Sequence, residues 1–428
     1  MNIEASRKQL KFILDSGLAH IIGTGVLNKL VSFIANVFVV RILTREAYGV
    51  FGYADNITNF FLLISGLGMI NGVMQFGSEN RPEDEKNAYF KFALRFGTKF
   101  NILLSIGIVI YALFVPVSIQ GSKKYILMLS LLPITNYLFT FFCTVLRCQR
   151  KNKTYAWVVN LNSITYAVIA ILGSYLWQIE GLVVALYVAN MLSALSGFCL
   201  TGYWKRIRKT SIKLLRSEKR KIISYSSLSC ANSAISNLLY LLDVFILGIF
   251  VKDADIIAEY KVAMTIPTAL LFLPQGVNLF AYPYFAENNT DYNVIKKYTA
   301  KLFKKSFLIY ALITIILLAF APQIIGVVWG RKFLCSAPLL RILSLNFFVS
   351  ATFRINAGNI LATLRRVKAS MYVSIISGAL NVLFDILMIS TWGAIGAAIA
   401  TLLVMCISSL MLLPTMVVAI RKLNTVKC

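Results

Sequence analysis

Residues 17–43 have the sequence GLAHIIGTGVLNKLVSFIANVFVVRIL, an apolar stretch with one row of polar side chains. The stretch can cross about 30 Å of hydrocarbon as a helix, for which about 20 residues suffice. The polar residues at every fourth position are His20, Thr24, Asn28, Ser32 and Asn36. They share one helix face, and this face is predicted to point inward because polar groups in hydrocarbon need partners or water.

Similar apolar stretches continue along nearly the whole chain. The predicted spans are 17–43, 50–78, 93–117, 123–147, 154–177, 181–203, 222–250, 257–286, 300–328, 336–363, 368–390 and 393–420. Twelve crossings place both termini on the same side of the bilayer. Together with 58% hydrophobic residues, they predict an all-α integral membrane protein.

Basic residues crowd the N-terminal arm, the even-numbered connections and the tail, and are sparse in the odd-numbered connections. The positive-inside rule therefore predicts that both termini are cytoplasmic. In a soluble chain the net charge of +26 would suggest nucleic acid. In this chain it is interpreted as a topology signal and as attraction to anionic membrane lipids, with no nucleic-acid partner.

The composition offers little for catalysis or metal binding. The chain has one histidine and seven cysteines, and the cysteines lie singly without CxxC spacing. A histidine metal cluster, a Ser/His/Asp triad and a disulfide framework are therefore not predicted. We expect no metal and no cofactor, and we expect a protein that is not an enzyme.

The chain repeats itself with a shift of about 207 residues, which grows to about 215 near the end. The stretch 37–53 matches 244–260, and 180–185 resembles 395–400. Six helices in each half predict parallel repeats, related by an axis along the membrane normal. The predicted regions are an N-terminal arm (1–16), a first bundle (17–203), a basic linker (204–221), a second bundle (222–420) and a tail (421–428).

Polar residues at helical spacing also mark other spans in both halves. The predicted polar lining of a central cavity is Asn28, Ser32, Asn36, Gln75, Asn232, Ser236, Tyr240 and Gln275. The alternative is that these side chains only join neighbouring helices, as Ser, Thr and Asn often do. Corresponding stripes in the two halves favour a cavity, which is the geometry of a transporter.

Five ionisable residues lie inside apolar spans, namely Lys29, Asp55, Asp243, Arg354 and Asp385. Each costs about 2.5–3.5 kcal/mol at a helix centre on insertion scales, so function or pairing is the default interpretation. The two cations suit an anionic ligand, and the Arg fork suits phosphate oxygens. The three acids are candidates for exchanging a proton or sodium ion. Structural ion pairing between helices remains open for all five.

Three stretches resemble the Wzx-type polysaccharide (O-antigen or capsule-unit) flippases of the MATE-like MOP superfamily. They are RILTREAYG at 41–49, Asp243 with Gly248 and then YKVA at 260–263, and WGAIGAAIAT at 392–401. The order of the motifs and the twelve predicted spans extend the resemblance over nearly the whole chain.

The resemblance implies a multi-pass protein of the bacterial cytoplasmic (inner) membrane that moves undecaprenyl-diphosphate-linked oligosaccharide by alternating access. Lys29, Lys261 and Arg354 would then hold the diphosphate, and a proton or sodium gradient acting through Asp243 would drive transport. The implied partners are membrane lipids, a polysaccharide polymerase and a chain-length regulator.

Rival interpretations remain open. An ion-coupled multidrug or cation antiporter would have the same fold, although Lys29 and Arg354 favour an anionic cargo. A lipid II flippase is a relative that usually has more spans. A membrane-embedded polymerase, ligase or acyltransferase would need a large loop or an intramembrane histidine. A non-catalytic scaffold would not need polar stripes.

Overall fold

The computed structural model describes residues 18–209, 212, 214–287, 291–364 and 366–425, and no strand occurs among them. The predicted N-terminal arm therefore lies outside the described residues. The helices are α1 (Leu18–Ile42), α2 (Arg45–Leu62), α3 (Met69–Ser78), α4 (Glu83–Phe114), α5 (Ser122–Met128), α6 (Leu132–Cys148), α7 (Asn152–Thr201), α8 (Tyr203–Lys209), α9 (Arg216–Val251), α10 (Ala254–Leu270), α11 (Phe272–Glu287), α12 (Tyr292–Val328), α13 (Ala337–Val349), α14 (Ile355–Thr363) and α15 (Val367–Thr425).

More than half of the helices belong to segments with the length and hydropathy of membrane spans. Within the described residues, eight helices are long and apolar enough to cross a membrane, or nine if the bent pair α5 and α6 forms one span. The two longest, α7 and α15, are each interrupted by non-helical backbone and can each supply two spans. The all-α membrane fold is confirmed, and the number of spans is compatible with twelve.

The chain forms two compact units, Met1–Leu238 and Leu239–Cys428. In the first, α1 and α6 pack on α7, and α4 packs on α6. In the second, α13 packs on α10, α12 and α15. Helix α8 and the start of α9 lie in the predicted linker 204–221. The bundle boundaries predicted from the sequence stay a prediction.

The same turn interrupts α7 and α15. Gln178 has φ 53° and ψ −124°, and Gly393 has φ 56° and ψ −131°. The two positions are related by the predicted repeat shift of about 215 residues. In both halves a glycine then lets the helix pass close to its own preceding segment. A Cβ on Gly181 would overlap the backbone of Gly173, and one on Gly396 would overlap the Met388 carbonyl.

The second predicted span, 50–78, is not one helix. It divides into α2 and α3 at a 3-10 turn, Ser65–Gly68, whose last three residues all have positive φ. Asn101 of α4 holds the turn, because its Oδ1 accepts hydrogen bonds from Ser65 Oγ (2.9 Å) and Gly66 N (3.1 Å). The apolar pattern did not indicate this break, because only two glycines mark it.

Close packing around an aromatic ring fixes α4 against α6. The buried Tyr137 hydroxyl donates to the Ala93 carbonyl at 2.7 Å, and a Cβ on Gly97 would overlap this hydroxyl. Elsewhere in the same unit, Lys124 of α5 forms an exposed ion pair with Glu180, just after the turn in α7. The contact between Gly97 and the Tyr137 hydroxyl is therefore tight and buried, whereas the ion pair between Lys124 and Glu180 is exposed to solvent.

Candidate functional site

Two of the predicted intramembrane acids meet inside the C-terminal unit. Asp243 of α9 is 2% exposed, and Asp385 of α15 is 0% exposed. The two carboxyl groups lie within hydrogen-bonding reach of each other. Burial of one carboxylate costs free energy, and burial of two like charges side by side costs more. The pair is therefore stable only if its charge is compensated.

Three neutral side chains donate hydrogen bonds to Asp243. Tyr260 Oη lies 2.6 Å and Thr401 Oγ1 2.8 Å from Oδ2, and Asn381 Nδ2 lies 3.5 Å from Oδ1. The donors come from α10 and from both halves of α15. The interruption of α15 at Gly393 brings its two halves to one carboxylate, so the turn positions the site.

Asp385 has no such donors. Within the described part of the chain, no group donates a hydrogen bond to either of its oxygens, and none donates to Asn381 Oδ1. No lysine or arginine in those residues forms an ion pair with Asp385 or Asp243. Because a carboxylate cannot donate, the pair needs a shared proton or a small cation bound to its oxygens.

The chemistry of the acceptors limits which cation fits. They are carboxylate, amide and hydroxyl oxygens, which suit a proton or a hard metal ion rather than a soft transition metal. Among the described residues, no three or more His, Cys, Asp or Glu side chains are placed so that they could hold a metal ion together. Two carboxylates with neutral oxygens therefore suit a proton or a singly charged ion such as sodium.

A cavity of about 50 Å³ adjoins Asp243 inside the C-terminal unit. Its polar lining is Asp243, Tyr260, Thr268, Asn346, Ser350, Asn381 and Thr401. Asn346 Oδ1 is buried without a partner among the described residues, so this wall also offers a free acceptor. Apolar side chains make up the rest of the lining, and the polar groups at Asp243 leave room for a water molecule beside this carboxylate.

The third predicted coupling acid is not part of this group. Asp55 lies half-buried in α2, in the N-terminal unit. The structure thus joins two of the three acids. Pairing of Asp385 with Arg354, which the sequence left open, does not occur.

The predicted diphosphate-binding cations occupy three different helical segments. Lys29 is exposed midway along α1, and Lys261 is half-buried in α10 directly after Tyr260. Arg354 is half-buried at the end of a π-helical turn, Ser350–Arg354. It has no hydrogen bond or ion pair with any other described residue. π turns inside α-helices are frequent at functional sites, but the role of these cations stays a prediction.

The predicted polar lining is partly exposed. Asn36 donates to Tyr48 Oη at 3.0 Å, Gln75 Oε1 accepts from Tyr225 Oη at 3.5 Å, and Asn28 Oδ1 is buried without a partner in the described chain. The exposed members are Ser32, Gln75, Asn232 and Gln275. The side chains of Ser236 and Tyr240 lie outside the described residues. Their role as a cavity lining stays a prediction.

Sequence reasoning missed two residues of the carboxyl site. Asn381 was not singled out, and Thr401 appeared only as the end of a glycine-rich motif. The available signal was that Asn381 precedes Asp385 by one helical turn inside an apolar span, so both polar groups share a helix face.

Comparisons with known proteins agree with this architecture. The family model described as polysaccharide biosynthesis protein matches residues 14–289. The chain is 24% identical over 231 residues to the "Probable low-salt glycan biosynthesis flippase Agl15" of Haloferax volcanii, covering 52% of this chain and 48% of that protein. It is 28% identical over 223 residues to the uncharacterized membrane protein MJ1068 of Methanocaldococcus jannaschii, covering 50% and 44%. The chain thus spans about half the length of these curated relatives.

Solved structures show the same fold at low sequence identity. An inward-facing MATE multidrug resistance transporter of the MOP superfamily superposes with a TM-score of 0.76 at 14% identity, covering 96% of this chain and 100% of that one. The lipid II flippase MurJ, in an inward closed conformation, gives 0.74 at 16% identity, covering 94% and 89%. By its sequence the chain belongs to the polysaccharide biosynthesis protein family, and by its structure it has the fold of the MATE-like MOP superfamily.

Proposed function

We propose that this protein is a flippase that moves undecaprenyl-diphosphate-linked oligosaccharide units, such as O-antigen or capsule repeats, between membrane leaflets by alternating access. A proton or sodium gradient drives it through Asp243 and Asp385. The observation that carries the proposal is the buried carboxyl pair, whose oxygens lack any basic partner in the described residues. Such a pair binds and releases a cation as its surroundings change, which is what ion-coupled transport requires.

The cargo part of the proposal has separate support. The family is one of polysaccharide biosynthesis, and a relative is named a glycan biosynthesis flippase. Lys29, Lys261 and Arg354 bind the diphosphate, with Arg354 supplying a planar fork for its oxygens. The hydrophilic glycan passes along polar side chains while the lipid tail stays in the bilayer. The protein is a transporter and not an enzyme.

The proposed topology, membrane and partner proteins rest on the resemblance to the polysaccharide flippases. Both termini are cytoplasmic, the membrane is the bacterial inner membrane, and a polysaccharide polymerase and a chain-length regulator act next to the flippase. The basic residues of the even-numbered connections support this orientation.

The test measures the pool of lipid-linked oligosaccharide and the surface polysaccharide in cells without the gene. The pool should accumulate and the surface glycan should disappear, and the wild-type gene should reverse both effects. Asp385→Asn and Arg354→Ala should fail to do so. Asp84→Asn, which removes an exposed acid at the start of α4, is the matched control and should complement fully.

A multidrug antiporter is the second candidate, because the carboxyl pair and the MATE fold suit it equally. Loss of drug tolerance in the deletion strain, with an unchanged lipid-linked pool, would establish the antiporter and refute the flippase. A purified protein that extends or acylates glycan would instead favour the membrane enzyme.

A further inference from the structure

A groove of about 660 Å³ opens on the surface of the N-terminal unit. It forms where the first and last turns of α7 lie side by side. Lys151 Nζ donates to the Leu200 carbonyl at 3.2 Å, and Gln149 Nε2 donates to the Thr201 carbonyl at 3.4 Å, which fixes the two ends together. The lining residues are Lys153, Thr154, Trp157, Leu195, Ser196, Cys199 and Leu200.

The groove changes in chemistry along its length. Lys153 is exposed at one end and forms no ion pair or hydrogen bond with any other described residue. Trp157 follows one helical turn later on the same face and is 54% exposed. Leu195 opposite is 57% exposed. The order is thus a cation, an amphipathic ring and an apolar wall.

This order corresponds to the parts of a phospholipid. Tryptophan rings concentrate at the level of the headgroups, so Trp157 sets the depth at which Lys153 meets phosphate. Beyond the ring, the apolar wall matches an acyl chain. The hydroxyls of Thr154 and Ser196 lie in the same groove and can bond phosphate or ester oxygens.

The charge of the surroundings selects an anionic headgroup. The helix ends next to the groove carry Arg147, Arg150, Lys151 and Lys205, and no carboxylate lines the groove. A zwitterionic headgroup would bring its own ammonium group against this positive field, whereas an anionic one would not. We propose that the groove binds one anionic phospholipid, with its phosphate at Lys153 and an acyl chain along Trp157 and Leu195.

The protein supplies its own reporters. Cys199 is exposed within the groove, and Cys335 is exposed elsewhere and outside it. The maleimide reaction rates of the two thiols are measured by peptide mass spectrometry, with the full chain in nanodiscs of phosphatidylcholine and increasing phosphatidylglycerol. Cys199 should become protected relative to Cys335, which corrects for the general effect of an anionic surface on thiols.

Two matched variants make the test specific. Lys153→Gln should raise the phosphatidylglycerol fraction needed for protection about fivefold, the factor expected for one basic residue near an anionic surface. Arg150→Gln removes one charge from the surrounding field without touching the groove and should raise the required phosphatidylglycerol fraction clearly less than Lys153→Gln does. Equal loss in both variants, no loss in either, or equal protection by phosphatidylethanolamine would each overturn the proposal.

Discussion

Single substitutions at the two equivalent helix interruptions, Gln178 in α7 and Gly393 in α15, should change the free energy of unfolding in opposite directions. Gln178 and Gly393 occupy the same backbone conformation, with φ near +55° and ψ near −125°. Only glycine adopts this region without strain, so Gln178→Gly should stabilise the protein and Gly393→Gln should destabilise it.

The magnitude follows from two opposing terms. A non-glycine residue held in such a region costs about 1–3 kcal/mol. A new glycine gives back about 0.4–1 kcal/mol by adding freedom to the unfolded chain. Gln178 is exposed, and a Cβ at Gly393 would meet only Val251 at 3.8 Å, so packing adds little at either position. Each change should therefore amount to about 1–2 kcal/mol, up for one variant and down for the other.

The assay is thermal unfolding in detergent, followed by intrinsic tryptophan fluorescence. A shift of about 2–4 °C per kcal/mol is expected in Tm. Gln178→Ala is the control, because it removes the same side chain but keeps the strain, and its Tm should stay at the wild-type value. If Gln178→Gly lowers Tm, or raises it no more than Gln178→Ala does, the strain argument is refuted.

Three further substitutions and one control test the packing of the N-terminal unit by the same Tm measurement. Gly97→Ala forces a methyl group into the tyrosine hydroxyl packed on it and should cost about 1–3 kcal/mol; Gly107→Ala in the same helix has its nearest contact at 3.7 Å and should cost nothing. Asn101→Ala leaves the amide of the left-handed turn unpaired and should cost about 1–3 kcal/mol, while a wild-type Tm would show that the turn needs no such bond. Lys124→Gln breaks an exposed ion pair and should leave Tm almost unchanged, most clearly at high salt, so a large shift would contradict its exposed setting.

The hydrophobic pattern predicted the membrane class and the all-α fold because both depend on span length and on hydropathy summed over many residues. It failed at Ser65–Gly68, where the break rests on three positive φ angles and one asparagine from another helix. Sequence spacing identifies residues that share a helix face. It does not identify which side chain of a distant helix will satisfy an exposed amide.

The candidate site, like the fold, could be predicted only in part from the sequence. Buried charge made Asp243 and Asp385 recognisable, since each is conspicuous in an apolar span. Their meeting depends on the interruption of α15, and spacing alone does not give the contact between Asp243 and Thr401, whose oxygens lie 2.8 Å apart. The sequence therefore predicted the acids and not the group they form.

The internal repeat relates the carboxyl site to a matching place in the first half. With the shifts of about 207 and 215 residues, the tyrosine at the site has a counterpart in the first half, since Tyr260 corresponds to Tyr53. The acids do not. The first-half residues that correspond to Asp243, Asn381, Asp385 and Thr401 are Asn36, Tyr166, Ala170 and Leu186. The two halves therefore share the turn and the tyrosine but differ at the positions of the other four residues of the site. The scaffold is repeated, and the polar group built on it is not. In the first half, neutral Asn36 bonds Tyr48 Oη, whereas Asp243 at the matching position of the second half lies beside Asp385, so the buried carboxyl pair is a feature of the C-terminal unit.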